Sequence, residues 1–272
     1  MPRILPLTAP DVLGTPLPSL RVGSVHTTSS ALHRVNFVRR LREWTNFRQD
    51  AIARVSSNVR WSRRTIDVAM IGQGAENSVS REQLVLGDEH GLQGRLNERL
   101  CRAVTSCLQA QGFNIRAGDF KAAVSTANNA PPRVPDAVMI NANAAIKLIG
   151  KLKTPWARDH IRMMKEGLRL FEKGDERTLR RILGQVARYM HDENVIYGFL
   201  STYNETIFLR KVDIQGVWTL EYSPVITHNN EYDPQRGTIT TRQGLFHLAV
   251  LAETAPAFGK NLPGNQNQRW TN

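Results

Sequence analysis

Along residues 89–111 the apolar side chains Leu92, Leu96, Leu100, Val104 and Leu108 recur at every fourth position, and Gly112 follows them. That spacing keeps one face of a helix apolar, and a glycine just beyond the last periodic residue suits a helix stop. A second helix is predicted over 175–192 from Leu179, Ile182, Leu183, Val186 and Met190. Asp175 is placed to cap it, and Glu176 suits its positive end. Residues 158–171 and the stretch "QGLFHLAVLAET" read as two further helices. The run 31–58 reads as another, with Leu32, Val35, Val38, Leu41, Trp44 and Phe47 spaced by three and four.

Period-two patterning lies between these helices. "VPDAVMINANAAIKLIGKLKTPW" (134–156) reads as two short strands, 135–141 and 145–153, joined by "NANA" and ended by Pro155. "VIYGFLST" and "TIFLRK" read as a hairpin, "VWTLEYSPVI" contains a further strand, and 113–130 holds one strand and a loop. The pattern predicts an α/β fold with a central mixed sheet flanked by helices.

Residues 1–30, rich in Pro, Ser and Thr, are expected to be mostly disordered. Residues 31–80 read as an Arg-rich helical extension, 81–256 as the main domain and 257–272 as a loose polar tail. The chain carries 36 Lys and Arg against 24 Asp and Glu, a net charge of +12, which favours a polyanionic partner. Nucleic acid comes first, DNA ahead of RNA, and an acidic membrane surface second. The Arg-rich, acid-poor start fits a mitochondrial transit peptide, a basic arm for nucleic acid or an ordinary solvated helix face. Cys101 and Cys107 stand six apart in one predicted helix and read as reduced and structural. An intracellular setting follows, nuclear or cytoplasmic, with mitochondrial as the alternative. No apolar run is long enough to span a membrane, and the histidines lack zinc-like spacing.

Residues two apart on a strand share a face, so Lys151 and Lys153 point the same way, and a hairpin brings Asp136 near them. On the 175–192 helix, Gln185 and Tyr189 stand one turn apart on the flank of the apolar stripe, beside Arg181. This order of Pro-Asp on one strand, x-x-Lys on the next and Gln-x-x-x-Tyr on a helix resembles the PD-(D/E)xK nuclease superfamily, in its RecB-like branch. The resemblance extends from about Glu89 to Lys211. More narrowly, "PDAVMI", "GKLKTPW", "GQVARYM" and "YGFLSTYNETIFLRK" look like an uncharacterised fungal group of this fold often linked to a fungal-type kinase domain, which does not follow here.

The resemblance implies a restriction-endonuclease-like fold and metal-dependent phosphodiester hydrolysis with magnesium or manganese. Asp136 and an acid of the earlier helix would hold the metal. Lys153 would position the attacking water or stabilise the transition state, and Gln185 and Tyr189 would orient substrate. For the helix acid Glu89 is chosen, because it falls inside the arc of the leucines whereas Glu98 falls opposite. A charge favoured by the helix dipole is the alternative for Glu89. The Leu152 carbonyl would add a ligand.

One position departs from the family pattern. The acid of acid-x-Lys is Lys151, a cation that repels a divalent ion by about 8 kcal/mol at 4 Å and an effective dielectric of 20. Two readings follow. In the first, the chain binds nucleic acid, and Lys151, Arg158, Arg162, Arg181 and Arg188 hold its backbone, with hydrolysis dependent on a degenerate metal site. In the second, it is a catalytically inactive module for a protein partner or for regulating a kinase.

Overall fold

The computed structural model of the chain describes residues 3–28, 35–56, 60–70, 84–125, 134–157, 168, 173–255 and 270–272. In chain order the elements are β1 (Arg3–Leu7), α1 (Ala9–Gly14), β2 (Arg21–Val22), β3 (Arg40–Glu43), α2 (Phe47–Val55), β4 (Ile66–Met70) and β5 (Val85–Leu86). Then come α3 (Glu89–Leu96), a π-helical turn (Asn97–Cys101), α4 (Arg102–Ala110), β6 (Arg116–Gly118), β7 (Ala137–Ile140) and β8 (Ile146–Leu152). The last are α5 (Arg177–Asp192), β9 (Tyr197–Ser201), β10 (Glu205–Ile214), β11 (Val217–Tyr222), β12 (Ile226–Thr227) and α6 (Thr241–Thr254).

The fold is α/β, built on a mixed sheet of eight strands in the order β3-β11-β10-β9-β8-β7-β6, with β12 paired to β10. The pairs β8–β9 and β3–β11 are parallel, and the others are antiparallel. A parallel pair needs a crossover, and α5 lies in the one between β8 and β9. The tight turn between β7 and β8 places Ala144 at φ 58°, and the Asn141 side chain accepts from the amides of Asn143 and Ala145.

Strand alternation sends side chains to two cores. Leu148, Phe199 and Phe208 pack with the helices α1 to α4 and α6. Val138, Ile149, Leu200, Ile207 and Leu209 pack with Leu179, Ile182, Leu183, Val186 and Met190 of α5. Each set is the apolar face its periodicity predicts. Gly184 lets α5 pass against the segment before β3: a Cβ there would stand 1.9 Å from the Val35 carbonyl oxygen.

Three sequence expectations are corrected. Residues 1–30 are not disordered over their described part. Val12, Leu13 and Leu17 are buried, Pro10 stands in the first turn of α1, and Thr8 and Asp11 form a capping box there. Tertiary burial supplies what the local composition lacks.

The 31–58 helix is instead a strand and a shorter helix, with 31–34 and 57–58 outside the described residues. Leu41 lies on β3, which pairs in parallel with β11, and the Trp44 amide donates to the Tyr222 carbonyl. Buried Glu221 accepts from the guanidinium groups of Arg42 and Arg210, and Arg210 lies 4.0 Å over the Trp44 ring. These partners lie far away in sequence, so the local pattern could not show them.

The tail is not loose at its end. Trp270 is buried against Phe37 and Trp218, and Thr271 bridges Phe37, although 256–269 lie outside the described residues. All of the predicted 158–171 helix except Leu168 also lies outside them.

Candidate functional site

The site lies at the C-terminal end of β8, where β7 begins beside it and α3 starts above it. Ala137 pairs with Gly150, so Asp136, one residue earlier, falls beside Lys151. The Asp136 carboxylate accepts the Leu152 amide at 2.6 Å and pairs with the Lys151 ammonium at 2.6 Å. Lys151 also donates to Glu89 Oε1 at 2.8 Å. The ammonium therefore stands between the two acids chosen from the sequence. Asp88 caps α3 by accepting the Gly91 amide, which sets Glu89 in the first turn, facing the strand ends.

Burial pulls the Lys151 amine down, but the Asp136 and Glu89 carboxylates outweigh it and hold the amine above the ordinary lysine range. Lys151 is only 7% exposed. Lys153, 8% exposed, donates to Gln185 Oε1 on α5 at 2.6 Å. Burial, and then the neighbouring Lys151 ammonium, bring its amine down to about 8.

The structure brings together Asp136, Glu89, Lys151, Lys153 and Gln185, all picked from the sequence. Tyr189 is half-buried and packs against the apolar cluster under α5. Gln93 was missed. Its Nε2 donates to the Asp136 carbonyl at 2.6 Å, and the readable signal was its place one turn after Glu89 on the same helix. Leu152, expected to lend its carbonyl to a metal, donates its amide to the Asp136 carboxylate.

Two expectations meet these ion pairs. Lys151, expected to hold a phosphate backbone, is engaged by two carboxylates. Between Asp136 and Glu89, the acids expected to hold a metal, stands its ammonium. Among the described residues no group of three or more His, Cys, Asp or Glu could hold a metal ion. A hard divalent ion needs several oxygen donors around it, and here a cation with no lone pair faces the same two carboxylates. The donor set does not fit magnesium or manganese.

Of the arginines, Arg181 is exposed on α5, Arg188 lies 3.6 Å from Asp192, and Arg158 and Arg162 fall outside the described residues. Beside the site, a cleft of about 420 Å³ opens between the helical run α3–α4 and the strands β6 and β7, and Asp136 lies at its edge. The π-helical turn lines it with Asn97 and Cys101. Cys101 and Cys107 are free and buried, and burial pushes both thiols up to about 12. Among the described residues no helix is long and apolar enough to cross a membrane.

Compared with protein-family models, with curated proteins and with solved structures, the chain matches none.

Proposed function

We propose that this chain is a nuclease-like domain of the PD-(D/E)xK type that holds nucleic acid without hydrolysing it through a metal. The observation that carries this reading is the Lys151 ammonium, 2.6 Å from Asp136 and 2.8 Å from Glu89. In an active relative of this pattern, two acids and a third would gather a divalent ion. Here the third acid is replaced by a cation that neutralises the other two, so the site keeps its shape without a metal. The net charge of +12 supports a polyanionic partner, and the exposed arginines of α5 supply contacts that position a backbone without reading bases.

The test is binding and cleavage measured side by side on labelled single- and double-stranded DNA and RNA, with magnesium or manganese present. The reading expects binding that weakens steeply as salt rises, and no cleavage. Cleavage by the wild type that is lost in Lys153→Ala would overturn it.

A second reading, an inactive protein-interaction module, is favoured by a different observation. Val22, Val25, Leu84 and Val85 are exposed on and beside the small sheet of β2 and β5. Salt-insensitive or absent nucleic-acid binding would favour that reading instead.

A further inference from the structure

Leu92, Leu96, Leu100, Val104 and Leu108 are all fully buried, yet a spacing of four does not hold one face of a straight α-helix. Each step of four residues overshoots a full turn by about 40°. The π-helical turn Asn97–Cys101 takes up this drift: it spends an extra residue on one turn and brings the stripe back into line. The same device aligns the residues that follow each member of the apolar set. Gln93, Asn97, Cys101 and Thr105 form a second stripe, and all four line the cleft beside Asp136. A π-helical turn of this kind is frequent at functional sites.

The two ends of the second stripe tie the helical wall to the strands. Gln93 Nε2 donates to the Asp136 carbonyl at 2.6 Å, just before β7. Thr105 Oγ1 accepts the Ala117 amide of β6 at 3.0 Å. The cleft is thus pinned at both ends and preformed. Between the ties stands Asn97, exposed, whose carboxamide offers a donor and an acceptor side by side. Arg102, also exposed, adds a cation to the same wall. Phe120 and Pro135 give the facing wall flat apolar surface.

We propose that this cleft binds one unpaired nucleotide, with the base against Phe120, its edge bonded by Asn97 and its phosphate met by Arg102. A base has flat faces and a polar edge, and its phosphate is an anion, so a nucleotide answers all three features at once. A carboxamide can bond the adenine edge through both of its groups. At about 420 Å³ the cleft has the size of a small-molecule site and does not admit a duplex. The lining argues for the nucleotide; that the nucleotide belongs to a strand rests on the nucleic-acid reading above.

The experiment irradiates the full chain with 8-azidoadenosine monophosphate and maps the labelled peptides, which needs no variant to fold. The label is expected within 97–106 or 117–120, and excess adenosine monophosphate should remove it. In calorimetric titration, Asn97→Leu and Phe120→Ala should each weaken adenosine monophosphate binding about tenfold. Arg236→Ala, at an exposed side chain remote in sequence from the cleft, should leave it unchanged. Ribose 5-phosphate, which lacks the base, should bind about tenfold more weakly or worse.

A single-stranded oligonucleotide that displaces the label supports a nucleotide carried on a strand. A label in the cleft that no oligonucleotide displaces supports the site and overturns the strand as its source. Salt-sensitive oligonucleotide binding with no label in the cleft overturns the proposal and leaves the nucleic-acid reading intact. Label spread over the surface, or equal binding of ribose 5-phosphate and adenosine monophosphate, overturns it as well.

Discussion

Lys151 Nζ lies 2.6 Å from Asp136 Oδ2, with both side chains largely buried. Breaking such a pair strands one charge, whereas replacing both members removes the desolvation cost along with the attraction. Asp136→Ala leaves Lys151 with Glu89 alone and the Leu152 amide without its acceptor, and should lose about 3 kcal/mol in urea denaturation. Asp136→Leu combined with Lys151→Met should recover most of that loss. A double variant as unstable as the single one would mean that Asp136 acts chiefly through the Leu152 amide and not through Lys151.

Gly184 makes a separate prediction about how Gln185 is delivered to the site. A Cβ at 184 would meet main-chain atoms of Val35 and Asn36, which cannot swing aside. Gly184→Ala should cost about 3 kcal/mol or more, as overpacking does. Gly94→Ala, in a helix with nothing within 4 Å of the added Cβ, should instead be neutral or stabilising by up to about 1 kcal/mol. Equal effects from the two substitutions would contradict the close approach at α5.

His247 sets an acid limit. Burial first, then Arg54 and Arg210, bring its imidazole down to about 3, and it packs against Phe47. The unfolded chain takes up this proton below about 6.5, while the folded chain resists until about 3. The stability it contributes is thus complete above pH 6.5 and drains away as pH falls toward 3. His247→Phe should flatten the melting temperature against pH over that window. An unchanged slope would show that other groups set the acid response.

Much of the site was legible because it depends on local periodicity. Strand parity put Lys151, Lys153 and Asp136 on one side, and the leucine arc of residues 89–111 turned Glu89 toward them. Gln185 followed from its place on the flank of α5.

What the sequence did not disclose depends on partners distant along the chain. The spacing of Leu41, Trp44 and Phe47 fits a helix as well as it fits a strand, a turn and a helix start; Glu221 and Tyr222 decide between them. Trp270 sits in a polar tail, and only its burial between Phe37 and Trp218 gives it a role. The order in residues 3–28 was partly readable, since Thr8, Pro10 and Asp11 mark a helix start. Lys151 was legible as a cation beside two acids expected to hold a metal, but not as the partner of both. That required knowing that Asp136 and Glu89 approach it from two elements at once.

In the proposed function Lys151 stands where an active relative would hold a metal. Calorimetric titration of manganese into the wild type and into Lys151→Glu tests it most directly. No measurable binding is expected of the wild type and clear binding of Lys151→Glu, which adds a third carboxylate to Asp136 and Glu89. Equal affinity in the two proteins would contradict it.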